Sequence, residues 1–400
     1  MLTLDKIYHA QYVLKEIIRS TDIINAHALS QDAGCEIYLK LENLQRTGSF
    51  KVRGAYYKIS QLSDEEKKRG VIACSAGNHA QGVAIASKKF GINAKICMPE
   101  GAPIAKIMAT KGYGAEVILV PGVYDDAHNE AERLKEENGY TLIHPFDDED
   151  VIAGQGTIGA EIMQTMDNLD VLVVPVGGGG LLAGIAFAVK SLNPNIKVYG
   201  VQAAGAASMV NSYNSGKIEY LSSVSTIADG IAVKEPGNLT YELISKYVDG
   251  MVTVTDDQIS AAILALIEKQ KTISEGAGAV ALAAVMFKKI PDLAGKKVCC
   301  LVSGGNIDVT ILSRVINRGL AMSGRSCTLT VELMDKPGQL SDVALIIARC
   351  GGNIISAVHE RSSSGSAINC CYLRLNLETK NFDHIEQIKK ELIKEGFKLI

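Results

Sequence analysis

Residues 171–190 read VLVVPVGGGGLLAGIAFAVK, and the fold turns on them. Val171–Val176 is an apolar run without polar alternation, the signature of a strand covered on both faces. Gly177, Gly178, Gly179 and Gly180 follow, and Leu181–Lys190 reads as a helix. Working outward, further short apolar runs occur at Val71–Cys74, Ala94–Met98, Glu116–Val120, Lys197–Gln202 and Lys297–Ser303. Ala80–Phe90 and Ile104–Gly112 lie between them with helical period. Buried strands separated by helices predict an α/β fold with an open parallel sheet. Gly-rich clusters follow three of these strands, at Ser75–Gly82, Gly177–Gly180 and Ser303–Asn306. Ligands in such sheets sit beyond the C-terminal strand ends, so the three loops point to one cleft.

Four hundred residues suggest two or three domains. Lys plus Arg number 41 against 44 Asp plus Glu, a net charge of −3, which argues against nucleic acid and against a polybasic membrane surface. Nine scattered cysteines, with no CxxC and no His/Cys cluster at zinc spacing, read as free thiols in a reducing compartment. The N-terminus forms no apolar signal core, and no stretch is long enough to span a bilayer. A soluble, cytoplasmic protein without a metal is the expectation.

After about residue 326 the pattern changes. Cys327, Leu329, Val331 and Leu333 alternate, Asp335-Lys336-Pro337-Gly338 is turn chemistry, and Leu340, Val343, Ala344 and Ile347 form a helical stripe. Strand-like runs at Asn353–Arg361 and Ala367–Leu377, joined by a turn at Ser362–Gly365, precede a helix (Ile385, Ile388, Leu392) and a last strand, Phe397–Ile400. The order βαββαβ is that of a ferredoxin-like α+β module. Arg314–Arg325 is the expected boundary, loosened by Gly319, Ser323 and Gly324.

The glycine run can converge backbone N–H groups at a helix N-terminus, a natural phosphate cradle. Gly178-x-Gly180-x-x-Ala183 also fits a dinucleotide fingerprint, but the next strand ends at Val201-Gln202 without the carboxylate that a ribose needs. Lys51 sits in a Gly-, Ser- and Thr-rich turn leading to a helical stretch, Tyr56–Ile59. With Phe50 and Arg53 as apolar and cationic neighbours its pKa should fall towards neutrality, which would suit a Schiff base with an aldehyde. The hydroxyl, amide and N–H groups of Ser75–Gly82 suit a carboxylate, and Ser303 stands at a third turn.

The segments SFKVRGA (49–55), SAGNHAQG (75–82), GGGGL (177–181) and SGGN (303–306), in this order, resemble the signatures of fold-type II pyridoxal-phosphate enzymes, most closely the threonine dehydratases, over roughly residues 5–320. The resemblance implies a tryptophan synthase β-like catalytic domain, 1–320, with a small subdomain of about 52–147 inserted in the large one. It implies pyridoxal 5'-phosphate bonded to Lys51 beside Phe50, its ring hydroxyl on Asn78, its phosphate on Gly177–Gly180 and its pyridine nitrogen at Ser303. Ser75, Asn78, His79 and Gln81 would line the substrate carboxylate site. The implied reaction is dehydration and deamination of L-threonine to 2-oxobutanoate, with L-serine as a slower substrate. L-serine dehydratase is the alternative, and an amino-acid sensor without catalysis is one of another class.

Serine racemases, close relatives, carry a second serine where this chain has Ala76, so elimination without racemisation is expected. Acidic ligands for a divalent ion are missing from Ala203–Ser208. The module 326–400 is similar to an ACT domain. That likeness implies allosteric control by a small-molecule effector near Gly338, Gln339, Leu340 and Asn353, in a homo-oligomer (dimer or tetramer) of amino-acid metabolism, isoleucine biosynthesis included.

Overall fold

Strands form where the apolar runs lie. The structure, a computed structural model, describes residues 1–361 and 369–400, and the chain divides into two units, Met1–Ile311 and Leu312–Ile400. The first unit contains β1 (Ile23–Asn25), β2 (Glu36–Leu41), β3 (Val71–Cys74), β4 (Ala94–Pro99), β5 (Glu116–Val120), β6 (Thr141–Leu142), β7 (Val171–Pro175), β8 (Lys197–Ala203), β9 (Gly250–Val254) and β10 (Lys297–Val302). They make a six-stranded sheet, β1-β2-β10-β7-β8-β9, and a four-stranded sheet, β5-β4-β3-β6. All neighbours are parallel except β1, which pairs antiparallel with β2. The smaller sheet is thus inserted between β2 and β7 of the larger one. Every residue of β3 and β7 is buried, as strands with helices on both faces must be.

Three helices bring the cleft together. Lys51–Ser60 crosses Glu149–Thr165 where a Cβ on Gly154 would stand 2.7 Å from the Gly54 Cα. The same long helix meets Gly180–Leu192, where a Cβ on Gly184 would lie 2.3 Å from the Ile152 carbonyl. Backbones this close tolerate no side chain, so both the Lys51 and the Gly180 helix starts are fixed against one support.

Strands β1, β2, β6 and β9 escaped the sequence reading. β9 is half-buried, β6 has two residues, and β2 mixes Glu36 and Lys40 into its run. The expected loose boundary is also corrected. Val309–Met322 is one helix with Gly319 buried inside it, and the division falls at Ile311/Leu312, because an i, i+3, i+4 apolar pattern outweighs one glycine.

In the second unit, β11 (Ser326–Met334), β12 (Asn353–Glu360), β13 (Cys370–Glu378) and β14 (Lys398–Leu399) form an antiparallel sheet in the order β12-β13-β11-β14. Helices Gln339–Cys350 and Phe382–Lys394 complete the ferredoxin-like order. Leu329, Val331, Leu333, Val343, Ile347, Leu373, Leu375, Ile388 and Leu392 form its core. The turn expected at Ser362–Gly365 lies outside the described residues. All nine cysteines are free, and among the described residues no helix is long and apolar enough to cross a membrane.

Candidate active site

Phe50, Lys51, Ser75, Ala76, Gly77, Asn78, His79, the four glycines and Ser303 all line a single cleft of about 930 Å³ in the first unit. Lys51 opens its helix, and its Nζ donates to the Pro145 carbonyl at 2.7 Å and lies 5.4 Å from the Phe50 ring centre. Burial lowers its pKa to about 8, opposed by the charge of Glu275. The role expected for Arg53 is corrected. Its guanidinium is enclosed away from the cleft, 2.8 Å from Glu42 and 2.6 Å from Glu161, so burial and not a cationic neighbour shifts the lysine. Strands and turns set this geometry, because the residue after β10 accepts at the turn before Lys51: Phe50 N–H donates to the Ser303 carbonyl at 3.1 Å.

The loop after β3 ends in the helix Asn78–Phe90. Its first-turn N–H groups carry the positive end of the helix dipole, suited to a carboxylate. Ser75 Oγ accepts from Gly77 N–H at 3.2 Å, so it shapes the turn while facing the cleft. His79 is buried, and its Nε2–H donates to the Ile143 carbonyl at 2.7 Å. Burial first, then the Lys51 charge, push its pKa down to about 3. It is therefore a neutral pin. Gln81 is corrected as well: it is buried one turn into the helix, outside the lining of the cleft.

Asn78 leads to a residue that the sequence reading missed. Its Nδ2 donates to Glu275 Oε1 at 2.6 Å, and its Oδ1 accepts from Asn306 Nδ2 at 2.7 Å. Glu275 is 4 % exposed and lines the cleft. Burial, helped by Asp229, raises its carboxyl pKa to about 7. In SEGAG (274–278) no local signal marked it; in the structure Glu275 stands at a helix N-cap yet makes no side-chain capping bond, and its carboxylate turns to the cleft.

At the glycine run, Gly179 has φ +103, and Gly178 approaches Phe146 so closely that a Cβ would lie 2.4 Å from the ring. Thr240 Oγ1 donates to the Gly178 carbonyl at 2.6 Å and Gln202 Nε2 to that of Gly177 at 3.4 Å. With these carbonyls taken, the loop offers the cleft its N–H groups at the start of helix Gly180–Leu192. A buried amine and an anion cradle in one cavity fit an aldehyde cofactor that carries a phosphate. Two ion pairs join cleft-lining residues from the connections of the small and large sheets, Lys106–Asp229 at 2.5 Å and Lys234–Asp125 at 2.8 Å.

In the second unit, Gly338, Gln339 and Leu340 border a cavity of about 360 Å³. Asn353 does not join them. It pairs with Glu378 at the opposite end of the sheet, since the intervening helix returns the chain to the start of β11.

Comparison with known proteins agrees with this geometry. The chain is 50% identical over 399 residues to an L-threonine ammonia-lyase of Thermotoga maritima, covering 100% of this chain and 99% of that one. A Geobacter sulfurreducens L-threonine ammonia-lyase is 44% identical over 99% of this chain and 98% of its own. Both alignments run through the second unit. Among solved structures, the processed form of threonine deaminase isoform 2 from Solanum lycopersicum matches with a TM-score of 0.74 at 40% identity, covering 79% of this chain and 94% of that one. The family model described as pyridoxal-phosphate dependent enzyme matches residues 14–304, the span that carries the amine and the cradle. The chain belongs to that family of pyridoxal-phosphate-dependent enzymes.

Proposed function

We propose that this chain removes water and ammonia from L-threonine to give 2-oxobutanoate, with L-serine as a slower substrate, in the cytoplasm. What carries the reading is the placement of the Lys51 amine and the four glycines in one cleft, in a chain alike end to end to two L-threonine ammonia-lyases. Pyridoxal phosphate supplies an electron sink for negative charge at the substrate Cα. Gly177–Gly180 would hold its phosphate through N–H groups, with Asn78 placed for its ring hydroxyl and Ser303 for its ring nitrogen. Lys51, whose Nζ donates to the Pro145 carbonyl in this structure, would hold the cofactor's aldehyde group and supply the base for the substrate Cα proton. The N–H groups of Ser75–His79 hold the substrate carboxylate. Ser303 would offer the ring nitrogen a neutral hydroxyl and no carboxylate, an environment that would favour loss of the β-substituent over transamination.

Incubating the purified protein with L-threonine and L-serine, and measuring 2-oxo acid and ammonia, tests this. Release from neither substrate would end the proposal. The pKa of Lys51 adds a pH test. Because its value is lowered from 10.5 to about 8, about one amine in eleven is neutral at pH 7, against roughly one in three thousand for an ordinary lysine. The rate at which apoprotein takes up cofactor should climb about tenfold per pH unit below 8 and level off above it. A climb that continues to pH 10 would contradict the shift.

Ala76 presents no proton donor, so the chain should yield no D-serine from L-serine. Ala76→Ser should give a measurable D-serine signal, and its failure to do so would remove this account of specificity. The second unit acts, in this proposal, as an ACT-type regulatory module of a homo-oligomer. It binds an amino-acid effector at the cavity beside Gly338, Gln339 and Leu340, with coupling of about 1–3 kcal/mol. Repeating the assay with branched-chain amino acids tests that part, and an unchanged response to all of them would reject it.

A further inference from the structure

We infer that the second unit carries a binding site for a divalent cation of the zinc class, formed by Asp335, His359 and Cys371. A carboxylate oxygen, an imidazole nitrogen and the sulfur of these residues all lie within 4.8 Å of one another. Roughly 3.4–3.7 Å separates ligand atoms held tetrahedrally at zinc bond lengths, so small side-chain adjustments close the set. His359 Nε2 and Cys371 Sγ stand 2.9 Å apart as a hydrogen-bonded pair, which a cation entering between them would spread.

The three donors come from two separate strands and the turn after a third, which hides them from any linear motif. Asp335 follows β11, His359 is in β12 and Cys371 is in β13. His359 pairs across the ladder with Leu373, a fully buried core residue, so the two share one face of the sheet, although His359 itself is exposed near the strand end. Cys371 is buried two residues before Leu373 on the same face. A histidine and a thiol thus share one face at the end of the sheet where Asp335 emerges.

The surroundings leave room for a ligand. Asp335 and His359 line the 360 Å³ cavity together with Arg361, Gly338 and Gln339. Three protein donors with a fourth position open to a cavity is the arrangement of zinc sites that bind an exchangeable ligand, here water or the carboxylate or amine of a small molecule. Arg361 lies 3.4 Å from Asp335 and is exposed, so it can turn to solvent when a cation arrives. The thiol, now donating to the Leu333 carbonyl at 3.6 Å, releases its proton as the metal–sulfur bond forms. None of this depends on the lyase reading.

Titration of the full-length holoenzyme with Co²⁺ as the probe tests the site through the visible d–d bands of tetrahedral cobalt. One saturable Co²⁺ per chain, displaced by Zn²⁺, is expected. Asp335→Asn and His359→Gln, both at exposed positions, should each weaken binding at least about tenfold, the lower bound seen even for outer-shell changes. Cys371→Ser should remove the thiolate signature, and Arg361→Ala should tighten binding by freeing Asp335. The site is refuted if no saturable tetrahedral spectrum forms, if the spectrum survives His359→Gln and Cys371→Ser unchanged, or if Arg361→Ala weakens binding.

Discussion

Lys51→Ala is expected to yield a folded, colourless protein with no measurable release of 2-oxo acid from L-threonine. Proton transfer by a positioned side chain alone contributes about 10²–10⁴-fold, and in the proposed mechanism the same amine would also anchor the cofactor, so the loss should exceed that range. Folding should survive because the Nζ makes one protein hydrogen bond, to the Pro145 carbonyl, and it carries a burial penalty that alanine lacks. Cofactor should then bind weakly through the glycine cradle and dialyse away. Retention of colour and of more than about 1% of activity would mean that another group serves as base, a limit set by that same range.

The second large effect is on stability. Arg53 is fully buried and bridges Glu42 at 2.8 Å and Glu161 at 2.6 Å, with Thr157 Oγ1 at 3.1 Å. Glu161 also holds Lys40, 2.9 Å away and almost as buried. Arg53→Met leaves the Glu42 carboxylate, itself unexposed, with the Thr21 hydroxyl and no cation. Breaking a buried pair on one side costs about 3–5 kcal/mol, to be read from the urea unfolding midpoint of the full-length protein. Adding Glu42→Gln should recover part of the loss by removing the stranded charge. A shift below about 1 kcal/mol, typical of exposed pairs, would show that water reaches the cluster. The network also fixes the first turn of the helix that Lys51 opens, so its loss should blunt activity before it unfolds the chain.

Much of this was legible because each signal was local. β3 and β5 match their apolar runs residue for residue, and the three glycine-bearing loops do meet at one cleft. The βαββαβ order at the C-terminus follows from alternation and one helical stripe. What stayed hidden depends on partners distant in sequence. Arg53 looked like a neighbour of Lys51 and is instead a core cation, which only the positions of Glu42 and Glu161 reveal. Glu275 is one acid before an alanine-rich helix, and nothing local says that it faces Asn78, 197 residues away. Gln81 and Asn353 were assigned from motif position, while helix geometry and strand direction decide where they point. Asp335, His359 and Cys371 meet only through strand pairing.

The pairs Lys106–Asp229 and Lys234–Asp125 are clasps held by charge. Each includes a well-exposed carboxylate, so each is worth up to about 1 kcal/mol and weakens as salt rises. Rising ionic strength therefore loosens two bridges that join segments of the small and large sheets along the lining of the cleft.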